Sequence, residues 1–137
     1  RVTIFEDEKG NHIVTSLPTM IAKPDKAKYE AKQVESDSEI DAKTTGEITE
    51  FLETFFKLYP TASKNELEYY VENDVMRPIN VNLKFVELVN SVFFKDGNNI
   101  QAKINVKYLD NLSKTTNFFQ YRLSLQKNEN WTIVGFK

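Results

Sequence analysis

Ile100-Gln-Ala-Lys-Ile-Asn-Val-Lys-Tyr-Leu109 alternates without a break. Ile100, Ala102, Ile104, Val106 and Tyr108 fall on one face, and Gln101, Lys103, Asn105 and Lys107 on the other. That period of two marks a strand buried on one side. Upstream, Asp96-Gly97-Asn98-Asn99 is a strong turn signal. Before it, residues 85–95 are apolar on both faces, with Val86, Leu88, Val92 and Phe94 on one and Phe85, Val89 and Phe93 on the other. Downstream, residues 110–114 form a loop, and residues 117–127 alternate again with Phe119, Tyr121, Leu123 and Leu125 on one face. Asn128-Glu129-Asn130 turns the chain into a last strand at residues 131–136. Consecutive strands joined by short loops form an antiparallel meander.

Two amphipathic helices precede this meander. Residues 47–59 carry Ile48, Phe51, Leu52, Phe55 and Tyr59 at helical spacing, and Pro60 stops the helix. Thr44 and Glu47 have the spacing of a capping box, which predicts the helix start. Ser63 and Glu66 repeat that spacing, and Leu67, Tyr70 and Val71 give residues 63–72 a second apolar stripe. Helices first and strands second predict an α+β domain, a curved antiparallel sheet of about four strands packed on N-terminal helices.

The front of the chain is different. Residues 2–5 and 12–17 are short β-prone runs around the polar turn Glu6-Asp7-Glu8-Lys9-Gly10-Asn11, which predicts a hairpin. A lone hairpin is marginal in water, so it belongs with other structure. Residues 23–45 are rich in Lys, Glu, Asp, Ser and Ala, and a helical turn at residues 29–34 would have no apolar stripe to hold it. The expected organisation is a hairpin remnant of a preceding domain at 1–22, a charged linker at 23–45 and the main domain at 46–137. Arg1-Val2-Thr3-Ile4-Phe5 reads as mid-strand with no initiator Met, so a fragment of a longer protein is expected.

Composition narrows the chemistry. From residue 47 onward there are 11 basic and 11 acidic residues, and the 7 basic and 9 acidic residues before it account for the net charge of −2. Neither part offers the excess of Lys and Arg that displaces counterions from phosphates, so direct nucleic-acid binding is not expected. The absence of cysteine removes disulfides, thiolate zinc sites and thiol chemistry. No apolar run approaches the roughly 18 residues that span a bilayer.

No catalytic or metal-binding pattern emerges. His12 is the only histidine and has no ligand partners at metal spacing. Glu6-Asp7-Glu8 lacks the alternation and central glycine of a calcium loop. Serine hydrolysis would need a histidine or a lysine in a special pocket, and phosphate-cradling glycine loops are missing. Glu87, on the face expected to hold Phe85 and Val89, and Glu53 are the carboxylates placed to do acid–base work; pairing with a nearby lysine is the simpler role for either. Catalytic, cofactor-binding and metal residues are therefore all expected to be none. The paired aromatics Tyr69-Tyr70, Phe93-Phe94 and Phe118-Phe119 each aim one ring away from the core. Phe85, Val89, Phe93, Phe118 and Tyr69 are the candidate interface residues, and the second face of strand 85–95 must be either covered or an interface.

Ile48-Thr-Glu-Phe-Leu-Glu-Thr-Phe-Phe-Lys-Leu-Tyr59 followed by Ala62-Ser-Lys-Asn-Glu-Leu67 resembles the conjugative transfer protein TcpC family of Gram-positive plasmids and integrative elements. The likeness continues through Phe85-Val-Glu-Leu88, Ile104-Asn-Val-Lys-Tyr108, Tyr121-Arg-Leu-Ser-Leu125 and Asn130-Trp131. Phe5-Glu-Asp-Glu-Lys-Gly-Asn11 and Leu17-Pro18 look like the last hairpin of that family's central domain. The resemblance implies a nuclear transport factor 2-like (cystatin-like) fold. It also implies a non-enzymatic scaffold subunit of a type IV secretion DNA-transfer complex on the outer face of the cytoplasmic membrane. The anchor would be an N-terminal membrane helix outside this sequence. The partners implied are other conjugation-complex proteins and further copies of the chain, a trimer in the full-length protein, with no cofactor. Because the same fold elsewhere houses isomerases and dehydratases, a ligand-binding or enzymatic module with a pocket inside the curved sheet is the alternative. A wall-binding or adhesion domain is a third possibility.

Overall fold

The computed structural model describes the chain from Arg1 to Lys137 except residues 31, 33, 34 and 38. The helical turn considered at residues 29–34 therefore falls largely outside the described residues. Two compact units are present, Arg1–Lys32 and Gln33–Lys137.

The first unit contains the expected hairpin, with β1 (Ile4–Glu6) paired antiparallel to β2 (His12–Val14). Asp7 organises its turn: one carboxylate oxygen accepts from the backbone N–H of Lys9 at 2.8 Å and of Asn11 at 2.9 Å. Gly10 takes φ 79°, a conformation that costs glycine little. The strands are shorter than the β-prone runs, although Thr15 N–H still reaches the Thr3 carbonyl at 2.9 Å.

The second unit opens with α1 (Ala42–Leu58) and a single-turn α2 (Lys64–Leu67). Four strands follow: β3 (Leu83–Asp96), β4 (Asn99–Asp110), β5 (Thr116–Lys127) and β6 (Trp131–Phe136). The sheet order is β3-β4-β5-β6, all antiparallel, the meander that the alternation predicts. The β3–β4 turn needs only two residues, Gly97 and Asn98, and Gly97 supplies φ 61°.

The start of α1 departs from expectation. Asp41 is the N-cap, accepting from Thr44 N–H at 2.7 Å and Thr44 Oγ1–H at 3.0 Å, so the helix begins before the boundary expected at residue 46. Glu47 is drawn away from any capping role by a long-range contact. Its Oε2 accepts from the Lys127 ammonium at 2.5 Å and the Trp131 indole N–H at 3.4 Å. Ser63 and Glu66 do form the expected capping box. The second helix nevertheless ends after one turn, because β6 captures its backbone. Ile133 N–H donates to the Tyr70 carbonyl at 2.8 Å, and Glu72 N–H donates to the Ile133 carbonyl at 2.9 Å. Part of the expected linker also joins this unit: Asp37 N–H donates to the Phe93 carbonyl at 2.8 Å, covering a stretch of the β3 edge.

The core lies between α1 and the inner face of the sheet. Ile48, Leu52, Phe55 and Phe56 from the helix meet Ala102, Ile104, Val106 and Tyr108 from β4, Leu123 and Leu125 from β5, and Ile133 from β6. The Phe56 ring lies 4.8 Å from that of Tyr121 and 5.0 Å from that of Phe55. At the helix end the Tyr108 hydroxyl donates to the Phe56 carbonyl at 2.8 Å, fully buried. The residue four positions after Phe56 is Pro60, which has no N–H to give that carbonyl. Tyr108 therefore supplies the hydrogen bond that the helix lacks, and burial pushes its phenol pKa up.

Two predictions follow from these contacts. Tyr108→Phe should cost about 1–3 kcal/mol in urea unfolding, because a buried acceptor loses its only protein donor. The second concerns Glu47, whose carboxyl is held below its ordinary 4.5 first by the Lys127 hydrogen bond and then by the Trp131 indole. A depressed carboxylate pKa stabilises the fold above pH 4.5, and that stability is lost as pH falls through the folded-state value. The urea midpoint of the parent chain should accordingly fall more steeply below pH 4.5 than that of Glu47→Gln; parallel acid limbs would contradict this.

Candidate functional site: a contact surface on the outer sheet face

Strand β3 decides which residues the sheet shows outward. Its register slips between Phe85 and Glu87 and again between Val89 and Val92, where Asn90 has φ 53°. Each bulge inserts a residue and exchanges the faces. Phe85 stands opposite Tyr108, Leu88 opposite Val106 and Phe93 opposite Ala102, so all three point inward. Glu87, Val89, Val92 and Phe94 stand opposite Lys107, Asn105, Lys103 and Gln101 and point outward. The strict alternation read from the sequence, with Leu88 beside Val92 and Glu87 beside Phe85, is corrected by these two slips.

The five candidate interface residues consequently separate. Phe93 is 3% exposed and offers no free side-chain surface. Phe85 is half-buried against the core, its ring 6.1 Å from Tyr108 and beneath the Lys57 ammonium at 5.7 Å. Val89 and Phe118 remain on the outer face, Phe118 at 61% exposure, while Tyr69, at 83%, sits on the turn after α2. Val92 and Phe94 join Val89 and Phe118 on the outer face, and the sequence signal for that is Asn90, a turn residue in the middle of an apolar strand.

The outer face is built in rows. Glu87, Lys107 and Phe118 align across three strands, with Lys107 Nζ donating to Glu87 Oε1 at 2.8 Å and lying 6.0 Å from the Phe118 ring centre. Val89, Asn105 and Gln120 form the next row, tied by the Gln120 amide donating to Asn105 Oδ1 at 3.1 Å. Val92, Lys103 and Arg122 follow, then Phe94, Gln101 and Ser124. This face sets the exposed aromatic Phe118 and the apolar Val89 and Phe94 among charged and amide side chains.

The carboxylates considered for acid–base work lie in water. Glu87 is the lysine-paired residue just described, and Glu53 faces Lys57 at 3.8 Å one helical turn away. His12 pairs with Glu6 at 2.7 Å across the hairpin. Among the described residues no charged side chain is buried, and no group of three or more His, Cys, Asp or Glu is placed to hold a metal ion. No described helix is long and apolar enough to cross a membrane.

The fold and this surface can be set beside known proteins. Comparison with curated proteins finds no match. The solved structure titled "Ntf2 like protein involved in plasmid conjugation" superimposes with a TM-score of 0.72 at 21% sequence identity. The match covers 99% of this chain and 55% of that one, so the chain spans about half the length of that protein. The fold is thus the nuclear transport factor 2-like α+β fold, with a helix packed on a four-stranded antiparallel sheet. The family model described as conjugative transposon protein TcpC matches residues 1–134. The chain belongs to the conjugative transposon protein TcpC family.

Proposed function

We propose that this chain is a non-catalytic structural subunit of a Gram-positive conjugative DNA-transfer complex of the type IV secretion class, working through protein–protein contacts. The observation that carries the reading is the filled inner face of the sheet. In this fold a ligand would sit between helix and sheet, and here Phe55, Phe56, Tyr108, Ile104 and Leu123 fill that space. A ligand or catalytic site needs a cavity with convergent polar groups and a perturbed carboxylate or histidine. The most deeply buried tyrosine hydroxyl among the described residues, that of Tyr108, is already committed to the Phe56 carbonyl. The exposed aromatic Phe118 with Arg122 on the same face supplies the residue types enriched at protein contacts. Family membership and the fold shared with a plasmid-conjugation protein support the same reading.

In this account the partners are other conjugation proteins and further copies of the chain in the full-length trimer. The subunit stands at the outer face of the cytoplasmic membrane, anchored by an N-terminal helix outside this sequence. DNA is handled by other components, since residues 47–137 carry no excess of positive charge.

Deleting residues 42–137 from the full-length protein, with the rest left in place, should abolish plasmid or transposon transfer between cells. A Phe118→Asp and Val89→Asp double variant should lower transfer at least about tenfold, the effect of losing roughly 1.4 kcal/mol at one essential contact, while its unfolding midpoint stays near that of the parent. Normal transfer by the deletion strain would sink the scaffold reading.

A further inference from the structure

On the opposite side of the domain from Phe118, a groove of about 540 Å³ runs between the first half of α1 and the turn joining β5 to β6. Its walls are aromatic: Phe51 from α1, Tyr69 and Tyr70 from the turn after α2, and Trp131 at the start of β6. Its charges are mainly acidic, with Glu47, Glu50 and Glu129 set against the single cation Lys127.

One end shows how the groove holds a cation. The Lys127 ammonium lies 2.5 Å from Glu47 Oε2 and 5.5 Å from the centre of the Trp131 ring, and the Trp131 indole N–H donates to the same carboxylate oxygen. An ammonium between a carboxylate and an aromatic face satisfies both an ion pair and the ring quadrupole. Elsewhere in the lining Glu50 and Glu129 form no ion pair among the described residues, and the Tyr69 ring is 83% exposed.

We infer that this groove docks a segment of a partner protein carrying two or more lysine or arginine side chains, seated against Tyr69, Tyr70, Glu50 and Glu129 as Lys127 is seated against Trp131 and Glu47. Charge complementarity selects the occupant: three carboxylates and one ammonium repel phosphates and acidic peptides and attract cations. Exposed ion pairs and cation–aromatic contacts are individually weak, so a lone amine is not retained. A segment that repeats the contact along the groove gains enough to bind, and tyrosine and tryptophan are the side chains that most often anchor such contacts. The inference names a partner class for the contact-making domain proposed above, but its test requires no conjugation protein.

Trp131 is the only tryptophan of the chain, so its fluorescence reports on the groove directly. The 137-residue chain is titrated at low salt with a capped ten-residue peptide alternating arginine and alanine, and with the same peptide bearing glutamate for arginine. The arginine peptide should give a saturable change in Trp131 emission that weakens at least tenfold in Glu50→Gln/Glu129→Gln and in Tyr69→Ala. The glutamate peptide should give none. These side chains lie outside the core, so the variants should keep the parent's unfolding midpoint. No saturable change up to millimolar peptide, an equal response to the acidic peptide, or undiminished binding by both variants overturns the inference. Any of these would leave the scaffold reading to its own transfer assay.

Discussion

The Tyr108 hydroxyl reaches across the core to the Phe56 carbonyl because Pro60 leaves that carbonyl without its helical partner. A buried carbonyl with no donor would carry a desolvation penalty, so the end of α1 is held where β4 can supply one. The contact joins the last turn of the helix to the central part of the sheet. Beside it Phe55 stacks on Tyr59 and Phe56 packs at a tilt against Tyr121. The other end of α1 is tied by different physics: Glu47 meets Lys127 and Trp131, eighty and more residues away in sequence. One fastening is neutral and buried, the other charged and at the surface, so only the second should respond to acid and salt.

The two fastenings together hold α1 against the inner face of the sheet, where buried apolar and aromatic side chains pack between them. In the proposed scaffold role the contacts would be made by the outer surfaces. The outer face and the groove beside α1 differ in character, the first mixing valine and phenylalanine with cations and amides, the second lining aromatics with carboxylates. In the proposed scaffold role, two chemically distinct surfaces would let the subunit engage two different neighbours at once.

Much of this was legible in the chain. The alternation of residues 100–109 gave β4 and its inward side chains, the Asp96 to Asn99 turn gave the first hairpin of the meander, and the stripe through Ile48, Leu52 and Phe55 gave the buried face of α1. The outward residues of β3 were hidden because a bulge is one unpaired residue with no composition of its own, and a single slip reverses every later side chain. Asn90 was the one clue. The true cap of α1 was obscured because Thr44 and Glu47 carry capping-box spacing, while the preference of Glu47 for Lys127 depends on residues far along the chain. The short α2 has the same cause: its apolar stripe is helical, but β6 competes for its backbone groups. The groove escaped notice since its lining comes from three separated stretches that only the fold brings together.

The dependence of the helix end on Tyr108 is most directly measured by a double-mutant cycle with Pro60. Replacing Pro60 by alanine provides an N–H four residues after Phe56, so the carbonyl no longer relies on the tyrosine. Urea unfolding of the parent, Tyr108→Phe, Pro60→Ala and the double variant should show the cost of Tyr108→Phe shrinking by about 1 kcal/mol in the Pro60→Ala background. An equal cost in both backgrounds would show that the Tyr108 hydroxyl does not stand in for the N–H missing at Pro60.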